Sequence, residues 1–252
     1  MKAELHRLEA VVLSRVNYGE ADLVVHFLTR DFGKINGLAK NARKSRKRFG
    51  NVLNPPAVVE LEFVPRRSSE LVRLERGDLV RGFDGLTRDP RLLGMAGLAL
   101  ELADAFCQPH DPSPEIYDLL VWCLERLDWN QRPEEAAFLF KVRLLALAGF
   151  GPNLEGCGHC GRKAGEHRGG LKIEDGGWVC SECGGGGFVV SPGTLKLMTM
   201  ARNLPSDRLE RLRAGSPMIQ EAEPFLMAYL RHILGRELKS ARFLEQLGSV
   251  QG

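Results

Sequence analysis

Between residues 8 and 80, apolar positions come in short alternating runs separated by turn residues, the period-two pattern of strands. Ala10–Val16 is the first such run. Asp22–Thr29 follows after a turn at Tyr18-Gly19-Glu20, and Ile35–Ala39 follows Asp31-Phe32-Gly33-Lys34. Ala57–Val64 lies between Pro55-Pro56 and Pro65, and Leu71–Arg76 closes the series. Five short strands with turns between them predict a small barrel or sandwich rather than an alternating strand–helix sheet.

From Asp89-Pro90 the period becomes helical, with Leu92, Leu93, Ala96, Ala99, Leu100, Ala103 and Phe106 recurring at steps of three and four. Ser113-Pro114-Glu115 predicts a second helix start, with Ser as cap and Pro in the first turn. Pro133-Glu134-Glu135 opens a third helix, apolar almost all round from Ala136 to Ala148 and therefore expected to be central; Gly149 ends it. Helical patterning resumes after Ser191-Pro192 and again from Ile219 to Leu247. Residues 150–188 are rich in Gly and Cys and poor in apolar mass. The predicted organisation is a β domain over 1–82 and a helical domain over 83–252, the latter holding a compact insertion at about 152–189.

The 252 residues are 27% charged and 44% hydrophobic, a globular balance that excludes a chain disordered throughout. No apolar run reaches bilayer-spanning length, and Met1–Arg7 lacks the apolar stretch of a secretion signal. The expectation is a soluble, intracellular protein with no membrane partner. Charge is uneven. Residues 1–91 hold 18 Lys and Arg against 12 Asp and Glu, whereas the remainder holds 17 against 20. A basic front half predicts an anionic partner for it.

Of six cysteines, Cys107 and Cys123 stand alone in apolar segments, as buried structural thiols do. Cys157, Cys160, Cys180 and Cys183 form the pattern C-x2-C-x19-C-x2-C. Each C-x2-C turn presents two sulfurs on one side, and two such turns complete a zinc tetrahedron. Gly161 and Gly184, each following the second cysteine of a pair, let the backbone fold back towards the sulfurs. A redox dithiol at Cys157–Cys160 is the competing reading, but no thioredoxin-like unit surrounds it. His159 and His167 are alternative ligands, yet four thiols already close the shell. A closed shell leaves no open position for water, so one structural zinc is expected. It would replace a core that Leu171, Ile173, Trp178, Val179 and Phe188 are too few to build. Gly184–Gly187 reads as slack after the last ligand.

Residues 40–50 contain Lys40, Arg43, Lys44, Arg46, Lys47 and Arg48 and no acid. By composition alone this is a solvated loop or a localisation signal. Its place between two barrel strands, in the basic half of the chain, points instead to phosphates. Arg66 and Arg67 in the next loop add to the same field, and Tyr18 and Phe49 are candidate stackers for bases, with core packing the alternative for aromatics at strand ends. Phosphate-loop, metalloprotease, nucleophile-elbow and dinucleotide motifs are all missing, which argues against an enzyme.

In this order the pieces resemble the RecO family of bacterial recombination mediators and DNA repair proteins. The resemblance is carried by Glu9–Leu13, Tyr18–Asp22, Phe32-Gly33-Lys34, the basic loop from Lys40, Lys141–Pro152, both cysteine pairs and Ser191-Pro192-Gly193. It implies an N-terminal OB-fold followed by an all-α domain with an inserted zinc module. It also implies binding of single- and double-stranded DNA, ATP-independent annealing, and work with RecR and single-stranded DNA-binding protein (SSB) to load RecA. The SSB C-terminal tail is expected on the helical domain. A general zinc-ribbon RNA- or DNA-binding protein, or a nuclease, would share parts of the pattern.

Overall fold

The computed structural model describes residues 5–45, 47–65 and 71–250. Five strands, β1 (His6–Tyr18), β2 (Asp22–Thr29), β3 (Gly33–Ala39), β4 (Ala57–Val64) and β5 (Leu71–Gly82), close a barrel in the order β1-β2-β3-β5-β4. All neighbours are antiparallel except β3 and β5, which pair in parallel over Asn36–Leu38 and Leu71–Arg73. This is the OB-fold. Strand β5 runs six residues beyond the alternating stretch that predicts it, because Gly77–Gly82 continues the ladder to Ala57.

Alternation along these strands fills the barrel with Ala10, Val12, Leu23, Val25, Phe27, Ile35, Leu61 and Leu74. The opposite face is not all solvent-facing. Val11, Leu13, Leu28 and Val58 point outward and are buried in the helical core. Strand β1 therefore buries both faces between Ala10 and Leu13.

Six helices follow: α1 (Pro90–Phe106), α2 (Pro114–Asp128), α3 (Pro133–Leu147), α4 (Pro192–Asn203), α5 (Ser216–Leu234) and α6 (Lys239–Val250). Proline stands in the first turn of α1 to α5, where its missing N–H costs nothing. Asp89 caps α1 by accepting from the Arg91 N–H (2.8 Å), and Ser191 caps α4 through Thr194. Ser113 makes no side-chain cap. Its hydroxyl turns to the Asp111 carbonyl, leaving its own carbonyl to accept from Ile116 and Tyr117. Helix α3 is buried on nearly all sides, as its composition predicts.

The helix expected over Ile219–Leu247 is instead two, α5 and α6. Gly235 adopts φ 61° and donates to the Arg231 carbonyl, ending α5 in the left-handed cap glycine favours. Glu101 on α1 then nucleates α6, accepting from the Lys239 and Ser240 N–H groups (3.1 and 2.9 Å) and from Arg236 (2.9 Å). Gly94 leaves room for Leu244, whose side chain a β-carbon there would overlap at 2.6 Å.

Polar clamps fix the barrel on the helices. Arg30 makes two 3.0 Å bonds to Asp118, and the Tyr117 hydroxyl donates to Glu9 (2.8 Å). Lys34 pairs with Asp104 (3.0 Å) while its backbone bonds to Gln108 and His110. Gly33 (φ 67°) runs so close to Asp111 that a β-carbon would lie 2.2 Å from its carbonyl oxygen.

Burial pushes the Glu101 carboxyl up, but hydrogen bonds from Ser240, Arg236 and Lys239 outweigh it and hold it below the ordinary glutamate range. A depressed carboxyl contributes stability at neutral pH that fades as pH falls through its folded-state pKa. Glu101→Gln should therefore lower stability at pH 7 by about 1 kcal/mol, the scale of a lost helix cap. The deficit should shrink towards pH 3 in urea unfolding; a deficit independent of pH would contradict this account.

Candidate nucleic-acid interface and metal centre

The loop from Lys40 to Pro56 serves two ends at once. Phe49 and Leu53 are buried in the barrel core, plugging one end of it. The expectation that Phe49 stacks on bases therefore fails: an aromatic followed by a glycine turn is equally a core plug, and here the ring is 2% exposed. Tyr18 is 58% exposed at the tip of the β1–β2 hairpin, beside exposed Arg15 and Val16.

The cations of the loop lie outside the plug. Lys40, Arg43, Lys44 and Lys47 are exposed and Arg48 is half-buried. Arg43 anchors the loop to the hairpin tip, with its N–H on the Ala21 carbonyl and its guanidinium on that of Glu20, both 3.1 Å. Asn41 adds a bond from its N–H to the Asp22 carboxylate (2.7 Å). Arg48 is held inside the loop: it donates to the Lys40 carbonyl and Ser45 hydroxyl, and lies 5.1 Å from the Phe49 ring centroid. Three other barrel arginines are paired with acids, Arg7 with Glu60, Arg73 with Glu75 and Arg76 with Asp78. Among the described residues no carboxylate pairs with Lys40, Lys44 or Lys47, so their field reaches solvent. Arg46, Arg66 and Arg67 lie outside the described residues.

The cysteine pairs converge as their spacing predicts. The Sγ atoms of Cys157, Cys160, Cys180 and Cys183 lie within 4.8 Å of one another. A tetrahedron with metal–sulfur bonds of about 2.3 Å has sulfurs about 3.8 Å apart, so the set needs at most a small contraction to hold one ion. Both knuckles turn on glycines in the left-handed region, Gly161 at φ 74° and Gly184 at φ 84°. Backbone N–H groups aimed at the Cys157 sulfur, first that of Cys180, draw its thiol down, whereas bonds with the neighbouring thiols push Cys183 up. Four thiols this close cannot all ionise without a cation among them. His159 faces away, bonded to Asp175 (2.7 Å), so neither it nor His167 joins the cluster.

The module is less independent than its composition suggests. Leu154, Leu171, Trp178, Val179 and Val190 belong to the same buried cluster as α1 to α5. The centre therefore clips an extension of the helical core rather than standing in for a missing one. Nor is the glycine run slack. Gly185 donates to the Cys180 carbonyl (2.8 Å), and Phe188 exchanges two backbone bonds with Leu171 on strand β6 (Gly169–Lys172). Trp178–Cys180 lies on strand β7 (Gly177–Cys180), its partner. Cys107 and Cys123 are buried thiols, pushed up to about 11 and about 12 by burial.

One feature has no sequence signature. The end of α2, the start of α3 and the segment 206–213 enclose a cleft of about 750 Å³. Arg126, Arg132, Arg211 and Arg213 line it, with Leu139 and Ala136 at the apolar wall. Glu135 and Glu210 engage three of the arginines; among the described residues Arg211 has no carboxylate. The buried indole N–H of Trp122, also in the lining, has no acceptor. The lining comes from two stretches far apart in sequence, Trp122–Leu139 and Glu210–Arg213, so no local motif announces the cleft.

A closed five-stranded OB barrel with a cationic loop, packed on a helical part that carries a four-thiol centre, defines a class of α+β protein with a candidate nucleic-acid interface. Comparison with known families resolves the class. Residues 1–83 match the family model described as Recombination protein O N terminal, and residues 87–242 match Recombination protein O C terminal. The chain is 36% identical over 98% of both chains to DNA repair protein RecO of Anaeromyxobacter sp. strain K. It is 35% identical to that of Myxococcus xanthus over 95% of this chain and 97% of the relative, and 30% identical to that of Syntrophus aciditrophicus over 96% of each. The chain belongs to the RecO family of DNA repair proteins. Among the described residues no helix is long and apolar enough to cross a membrane.

Removing the metal with a strong chelator should lower thermal unfolding by roughly 5–10 °C and alter the emission of buried Trp178. The barrel, whose core contains none of the module's residues, should keep its strand signal. Unchanged melting after complete metal removal would contradict a structural role.

Proposed function

We propose that this protein is a recombination mediator: it binds single- and double-stranded DNA, anneals complementary strands without ATP, and acts with RecR on SSB-coated DNA to promote RecA loading. The observation that carries the reading is the loop from Lys40 to Arg48, where lysines with no acidic partner among the described residues stand at one end of the barrel beside an exposed tyrosine. Cations there displace the counterions of a phosphate backbone, which supplies affinity without regard to sequence. Two DNA strands repel each other, and a surface that neutralises both lowers the barrier to their encounter. Base pairing then drives the reaction, so no nucleotide hydrolysis is required. Lys40, Arg43, Lys44, Arg46, Lys47 and Arg48 form the assigned DNA surface, with Arg66 and Arg67 extending it. In this assignment Arg43 and Arg48 also hold the loop in shape.

The thiol centre is assigned one structural zinc, since four sulfurs at tetrahedral spacing suit that ion and leave no open coordination position. The SSB tail, acidic and apolar by the family resemblance, is assigned to the arginine-lined cleft. Arg211 offers it charge, Leu139 and Ala136 offer apolar wall, and the Trp122 N–H offers an unused donor.

With six phosphate contacts the slope of log affinity against log salt should be roughly −4 for single strands, a loss of about 300-fold between 50 and 200 mM salt. Replacing Lys40, Arg43, Lys44 and Lys47 together by Ala should flatten the slope by roughly 3 and abolish annealing, with circular dichroism unchanged. A folded variant that anneals normally overturns the assigned surface. Separately, Arg211→Glu should weaken binding of an SSB tail peptide at least about tenfold while sparing binding to bare DNA. Equal peptide affinity in that variant would remove the tail from this cleft.

A further inference from the structure

The four sulfurs of the thiol centre are not equally sheltered. Cys157 and Cys180 are buried and Cys183 is half-buried, whereas Cys160 is exposed. The turn that carries it is bare: a β-carbon built at Gly158 or at Gly161 meets no atom within 4 Å. His159, the remaining residue of the turn, leans to Asp175. Behind Cys160 lies Cys180, the two sulfurs 3.6 Å apart, the first residue of one knuckle's pair facing the second of the other. Arg162, paired with Glu182, places a guanidinium close enough to interact with both sulfurs.

We propose that Cys160 is an oxidation site at which a two-electron oxidant of the hydroperoxide class opens the metal centre, with Cys180 as the resolving thiolate. The inference rests on the assignment of zinc to the four thiols. A metal-bound sulfur retains thiolate character, and exposure decides which thiolate an oxidant in water meets first. The Cys160 sulfur attacks one peroxide oxygen, the O–O bond breaks and hydroxide leaves, giving a sulfenic acid. The Cys180 sulfur then attacks the Cys160 sulfur, the S–O bond breaks with loss of a second hydroxide, and a disulfide forms. Two thiolates are oxidised to one disulfide while one peroxide is reduced to two hydroxides. Two of the four ligands are consumed, and zinc is released. The change is reversible by a thiol reductant and fresh zinc.

The consequence reaches beyond the knuckle, because Cys180 follows Trp178 and Val179 directly and both are buried in the core shared with α1 to α5. Barrel residues 40–48 lie outside that module, so oxidation acts on the helical part first.

The test uses the full chain, with bound metal quantified by mass spectrometry before treatment with hydrogen peroxide. Zinc release is followed with a chromophoric chelator, and peptides are mapped without reduction. The expected result is one zinc released per chain and a Cys160–Cys180 linked peptide as the first disulfide. Retained zinc, or a first disulfide lacking Cys160, overturns the proposal. Because Cys160→Ser alone would weaken the site, the order of labelling by N-ethylmaleimide in the unaltered protein serves as the second readout. Cys160 should react first, and Cys107 and Cys123 last. Earlier labelling of Cys183 would again overturn it. A chain that purifies without zinc would fail the metal assignment, and the peptide map of the peroxide-treated metal-free protein would still decide whether Cys160 is the first site oxidised.

Discussion

Strand β1 has to satisfy two cores. Ala10 and Val12 fill the barrel while Val11 and Leu13, pointing the other way, are buried with α1 and α2. Leu28 and Val58, from the strands on either side, extend the same outer face. The apolar seam they form makes the barrel and the helices a single packed body, and a one-residue slip of β1 would exchange the two sets. The clamps around the seam, Arg30 with Asp118, Tyr117 with Glu9 and Lys34 with Asp104, add direction to a contact that apolar burial alone leaves nonspecific. The cationic loop and the arginine cleft are thereby held in fixed relation, one on the barrel and one on the helices.

That packing suits the proposed electrostatic role. The cationic loop spends Phe49 and Leu53 on the barrel core, and Arg43 and Arg48 on backbone carbonyls, so that lysines are presented on a fixed surface. The thiol centre plays the same part in the helical half. It fixes the end of β7 and the turn after it, and so the position of Trp178 and Val179 in the core.

Much of this was legible in the chain. Period-two runs located all five barrel strands, and proline at successive first turns located α1 to α4. The C-x2-C pairs located the thiol centre, because ligand spacing is a local property. What escaped notice depends on contacts between distant residues. The break between α5 and α6 is set by Glu101, some 138 positions upstream of Lys239, and no window around Gly235 contains it. Phe49, an aromatic among cations at a strand end, could stack on bases or fill the core; only closure of the barrel shows that its ring points in. The arginine cleft gathers residues from Trp122 to Arg213, a spread that periodicity does not register. The module's membership of the helical core escaped in the same way, since its apolar residues are few locally and sufficient only once joined to α1 to α5.

The central claim is that a fixed cationic surface lets this protein pair DNA strands that another protein already covers. The direct measurement is the annealing rate of complementary strands coated with the cognate SSB, with no nucleotide present. The account predicts acceleration over the spontaneous rate, lost as salt rises. No acceleration, with tight binding to bare strands retained, would contradict it and leave a protein that binds DNA without mediating its pairing.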